Sequence, residues 1–165
     1  MLAVTDTSPI HYLILIGQAD LLPILYGQVI VPQAVAGELL HRHTPPQVRA
    51  WIRALPSWCE IRQPSQAIPR ELLRLGAGER EAIMLAEELR PDILLMDEDA
   101  GRKAAQQRAL PLTGTLGFLG KAGEQDLVDF PAAMAQLQAT TFRMPPPTVV
   151  QAILARYAAR KHPSI

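Results

Sequence analysis

Two aspartates stand where apolar runs stop. Asp6 follows Leu2-Ala-Val-Thr5, and Asp97 follows Asp92-Ile-Leu-Leu-Met96. Both runs read as buried strands, and ligands of open α/β sheets bind at the carboxyl ends of strands. A single Asp there ordinarily just opens the next helix; two in one chain make a stronger signal. Two glutamates extend the pattern. Glu38 shares a helical face with Val35, Leu39 and Arg42, and Glu81 shares a stripe with Gly78, Ala82, Leu85 and Leu89, because residues three and four apart stack. Both acids lean toward packed sides, where an unpartnered carboxylate costs on the order of several kcal/mol. Each therefore needs a cation, a proton or a place at the rim. Carboxylate oxygens without histidine or thiolate are the donor set of Mg²⁺ or Mn²⁺. The chemistry that such a cluster most often serves is phosphodiester hydrolysis. Glu79, Glu87 and Glu88 fall elsewhere on their helix and read as a solvated face or first-turn dipole partners, with only a minor place at the site open to Glu79.

The elements that must position these acids alternate. Strands are expected at 2–5, 28–31, 57–62, 92–96 and 111–113. Helices are expected over 10–16, where Ser8 offers an N-cap and Pro9 a first turn, and over 20–26, 33–41 and 48–55. Others follow at 71–75, 79–90, 98–109, from Gly114-Thr115 onward, and at 131–137 and 148–160. Glycines 17 and 27 close the first two helices. Alternating strands and helices imply a three-layer α/β/α domain with a mostly parallel sheet of about five strands. The chain of 165 residues reads as one domain, with no internal repeat and no low-complexity linker. Pro145-Pro-Pro147 reads as a stiff connector to the last helix, 148–161, whose stripe Val149, Val150, Ile153, Leu154 and Tyr157 would pack on the domain or meet a partner.

The composition is globular: 48% hydrophobic, 19% charged and 5% aromatic, so the core must be aliphatic. Lys and Arg total 16, as do Asp and Glu. If four carboxylates are committed to a cation, the rest of the surface is mildly positive, which is compatible with RNA. The single cysteine, Cys59, excludes an internal disulfide and a thiolate zinc site, and reads as a small buried residue. No basic segment leads the chain, and the apolar stretch Tyr12–Ile16 is too short for a signal or a span, so a cytoplasmic protein is expected.

Several motifs, in order, resemble the PIN-domain family. They are Val4-Thr-Asp6-Thr-Ser-Pro9; Ile30-Val-Pro32 with Val35 and Glu38-Leu39; and Gly78-Glu-Arg-Glu81-Ala-Ile83 with Leu85-Ala86. Leu94-Leu-Met-Asp97-Glu-Asp99 with Arg102, Leu112-Thr-Gly-Thr-Leu-Gly117 and Phe142-Arg143-Met144 complete the set. The likeness spans nearly the whole chain and is closest to a prokaryotic subfamily with Asp-Thr-Ser-Pro and Thr-Gly-Thr-Leu-Gly motifs. It implies a Mg²⁺- or Mn²⁺-dependent ribonuclease, often the toxin half of a toxin–antitoxin pair and often dimeric. By position, Asp6, Glu38, Glu81 and Asp97 match the family's acidic quartet, although many members carry Asp where Glu81 stands. Asp99 matches a frequent fifth acid. Thr7 or Ser8 is expected to orient the first aspartate or its water. Thr115 either turns its hydroxyl to the site or simply caps the next helix.

Other residues carry weaker signals. Arg102, Lys103, Arg108 and Lys121 flank the site and suit phosphate contacts or solvated faces equally. His41 and His43, at a helix end, point apart and suit carbonyls or RNA better than a metal. Neither a dehalogenase-like phosphatase nor a receiver domain fits the acids after the first strand. The rival reading is a PIN-fold module that binds RNA or protein without turnover.

Overall fold

In the computed structural model, which describes residues 1–163, the apolar runs form strands β1 (Leu2–Thr5), β2 (Gln28–Pro32), β3 (Cys59–Arg62), β4 (Ile93–Leu95) and β5 (Leu112–Thr113). Every pairing is parallel, and the order across the sheet is β3-β2-β1-β4-β5. Helices α1 (Thr7–Leu15), α2 (Leu21–Tyr26), α3 (Gln33–Leu39) and α4 (Pro46–Arg53) accompany the first three strands. A 3₁₀ turn (Arg70–Leu72) and α5 (Ala77–Leu89) lead to β4. After it come α6 (Asp99–Gln107), α7 (Thr115–Glu124), α8 (Phe130–Gln138) and α9 (Pro147–Lys161).

The central strands β1, β2 and β4 are apolar on both faces because helices cover both, while the edge strand β3 exposes Glu60, Ile61 and Arg62. Ala3, Val29, Val31 and Leu95 point into one core, with Ile10, Leu22, Phe118 and Phe130. Val4, Ile30, Leu94 and Met96 point into the other, with Leu72, Ile83, Ala104 and Ala105. This is the two-residue period of a strand read twice. The result is the three-layer α/β/α fold with five parallel strands.

Some boundaries differ from the sequence expectation. α1 starts at Thr7 with Asp6 in the N-cap position, so Ser8 lies inside the first turn and its hydroxyl has other work. β3 begins only at Cys59, which is buried as expected. The helix expected at 71–75 is the short 3₁₀ turn. α9 packs against α7 through two glycines: a Cβ on Gly120 would come 2.5 Å from Ile153 Cγ2, and one on Gly123 would come 3.1 Å from Tyr157. Val149, 44% exposed, is the part of the stripe left at the surface. Among the described residues no helix is long and apolar enough to cross a membrane.

The strand order decides where a site can form. From β1 the chain builds outward through β2 to β3, then returns to place β4 on the other side of β1. Between β1 and β4 the winding reverses, which opens a crevice beyond their carboxyl ends. Asp6 and Asp97 lie there.

Candidate active site

Asp6 is tied to the sheet, since its backbone N–H donates to Leu95 O at 2.9 Å, and its residue is only 3% exposed. Burial pushes its carboxyl up to about 7; the backbone N–H of Thr7 opposes this, and the charges of Glu79, Glu38 and Asp97 add to it. A carboxylate in that position is short of positive charge.

Glu38 reaches the same place from the last turn of α3. It is exposed, so the rim position anticipated for it is the one it takes. Its Oε2 accepts from Thr7 Oγ1 at 2.5 Å, and its Oε1 accepts from Gly78 N at 3.2 Å. Gly78 must lack a side chain here. A Cβ on it would lie 2.9 Å from Glu38 Oε1, 3.1 Å from Thr7 Oγ1 and 3.2 Å from Asp6 Oδ1. Three oxygens, two from the start of α1 and one from α3, thus face one small space.

Asp97 is held far more firmly. Its Oδ1 accepts from Thr115 N at 2.8 Å, and its Oδ2 accepts from Thr115 Oγ1 at 2.6 Å and Ser8 Oγ at 2.9 Å. Gly114 precedes α7 and offers no side-chain cap, so the Asp97 carboxylate satisfies the first N–H of that helix. The hydroxyls of Thr7 and Ser8 thus bond Glu38 and Asp97 rather than Asp6, for which Thr7 offers its backbone N–H. Of the two roles open to Thr115, its buried hydroxyl takes the bond to Asp97, and Gly114 stands at the N-cap of α7.

Two glutamates of α5, Glu79 and Glu81, face different neighbours. Glu79, half-buried, acts on Asp6, and its own carboxyl is raised by burial and then by Glu98 and Glu38. Glu81 is turned toward α3, where its Oε2 accepts from Ala34 N at 2.7 Å. A signal for Glu79 was present. It precedes Ala82, Ile83 and Ala86 by three, four and seven residues, and all three are fully buried. Asp99 is exposed in the first turn of α6.

Among the basic residues, Arg102 is half-buried beside Asp97 and donates from Nη1 to Met96 O at 2.8 Å. Lys103 is exposed on the same helix. Lys121 is engaged elsewhere, with Nζ 3.3 Å from the Tyr26 hydroxyl and 4.8 Å from its ring centroid. His41 Nδ1 accepts from the backbone of His43, and the two rings stand 5.1 Å apart.

Among the described residues, no three His, Cys, Asp or Glu side chains are gathered into a ready cage for a cation. Glu38 and Asp97 are instead satisfied by hydroxyl and backbone donors. The donor chemistry nevertheless suits a hard divalent ion. The oxygens are carboxylates, the most buried of them lies near the charges of three other acids, and bare Gly78 leaves room beside it.

No curated protein matches the chain. A family model described as PIN domain matches residues 2–158, from the start of β1 nearly to the end of α9. Acids at a sheet's switch point and a match over almost the whole length agree: the chain belongs to the PIN-domain family.

Proposed function

We propose that the chain is a divalent-metal-dependent endoribonuclease that hydrolyses RNA phosphodiester bonds. PIN domains are generally nucleases, and the observation that carries the reading is Asp6. It is buried at the carboxyl end of the central strand, with its carboxyl raised to about 7 by burial and by three neighbouring acids. Acids brought together at the carboxyl ends of the two central strands are an arrangement that a bound cation would offset.

Bound Mg²⁺ or Mn²⁺ would supply a nucleophilic water at neutral pH and offset charge on the phosphate. Asp6 and Asp97 are the main ligands in this reading, Glu38 closes the rim, and Glu79 adds its charge from α5. Glu81, bonded to α3, stands outside the set. Thr7 and Gly78 hold Glu38, while Ser8 and Thr115 hold Asp97, so both carboxylates are aimed before substrate arrives. Arg102, beside Asp97, and the exposed Lys103 would meet phosphates of the RNA, and Asp99, exposed in the first turn of α6, would add a further acid. A toxin role countered by an antitoxin protein, and a homodimer, extend the proposal from the motif resemblance. Growth arrest on induction, relieved by Asp6→Asn, would support the toxin role.

A mixed RNA panel incubated with Mn²⁺ should be cut by the parent chain, spared when a chelator is added, and spared by Asp6→Asn. Cleavage by Asp6→Asn at the parent rate would overturn the mechanism. The lack of a preassembled three-ligand cage among the described residues favours one other reading, the binding module. RNA retained by the chain but left intact with Mn²⁺ would select it.

A further inference from the structure

Helices α3 and α5 both begin without a side chain of their own to accept from their first N–H groups. The residue before α3 is Pro32 and the residue before α5 is Gly76, and neither makes a side-chain cap. A helix start leaves several N–H groups without intrahelical partners, a need ordinarily met by Ser, Thr, Asp or Asn at that position. Here each helix is served by the other. Glu81 of α5 accepts from the N–H of Ala34, the second residue of α3, at 2.7 Å. Glu38 of α3 accepts from the N–H of Gly78, the second residue of α5, at 3.2 Å. Ala34 and Glu38 are four residues apart, and Gly78 and Glu81 are three apart, so on each helix the donor and the acceptor share a face. The two faces meet.

We propose that Glu81 is a positioning residue and not a metal ligand: its bond to Ala34 holds α3 against α5 so that Glu38 stays directed at Asp6. Only an acceptor oxygen is required of position 81. The activity readout rests on the nuclease reading above, so the test has a second readout that does not.

Glu81→Gln keeps an acceptor for Ala34 but loses the charge, whereas Glu81→Ala loses both. Amide hydrogen exchange at Ala34 in the metal-free chain should be unchanged in Glu81→Gln and about tenfold faster in Glu81→Ala, the scale of one lost cap. In Mn²⁺ titrations of RNA cleavage, Glu81→Gln should keep the parent midpoint. Glu81→Ala should shift the midpoint to roughly tenfold higher Mn²⁺ and recover the parent rate at saturation, since what it loses is the order of Glu38. A Glu81→Gln chain as inactive as Asp6→Asn would overturn the proposal, as would unchanged exchange at Ala34 in Glu81→Ala. If the parent cuts nothing, the nuclease reading fails alone, and the exchange experiment still decides the role of Glu81.

Discussion

The ends of β1 and β4 carry the same sequence signal, an apolar strand closed by Asp, yet they are opposite in environment. Asp97 receives three hydrogen bonds, from Ser8 and Thr115, and completes the start of α7. Asp6 is deeper, is helped by the Thr7 backbone, and faces three other acids. One aspartate is satisfied by hydrogen-bond donors of the fold, and the other is left buried among like charges.

The contrast predicts unequal responses to substitution. The largest is in catalysis: Asp6→Asn should lower Mn²⁺-dependent RNA cleavage by roughly a hundredfold or more, the scale of transition-state stabilisation a metal provides. The same variant should melt a few degrees higher than the parent at pH 8 without metal, because it removes a buried charge. Asp97→Ala should do the reverse to the fold, lowering the melting temperature by about 5 °C through loss of bonds to a charged acceptor. Equal melting shifts in the two variants would erase the distinction drawn here.

Gly78→Ala sharpens the comparison from the open side. Its methyl group would enter the space between Asp6, Thr7 and Glu38, so Mn²⁺ stimulation should fall about tenfold or more while the fold, with α5 intact, loses little. A Mn²⁺ titration measures it. An unchanged midpoint would move the cation away from this space.

The pH dependence has a definite sign. In the folded chain Asp6 titrates at about 7, above its ordinary value of 3.8. Between those values the folded state holds a proton that the unfolded chain has released. The Asp6 contribution to stability is therefore fully present below about pH 4 and is lost as pH rises through 7. In metal-free protein, the melting temperature of the parent relative to Asp6→Asn should fall over that window, and added Mn²⁺ should reduce the difference at neutral pH. The smallest effect concerns Ser8→Ala, which removes one of the bonds to Asp97 and should cost about 1 kcal/mol in a denaturant titration.

The amino-acid sequence alone determined the alternation of strands and helices, the two strand-end aspartates and the family, because apolar period and short motifs are local properties that survive without contacts. It also marked Glu38, since Val35 and Leu39 commit that face of α3 to the interior. What it did not determine was which acid of α5 joins Asp6. Residues 79 and 81 lie on overlapping parts of one helical surface, and the rotation of α5 against the sheet and α3 assigns Glu79 to the crevice and Glu81 to Ala34. The roles of Thr7, Ser8 and Thr115 were settled the same way. A short hydroxyl side chain bonds whatever carboxylate the fold brings within reach, and these carboxylates come from positions 31, 89 and 18 residues distant in the chain.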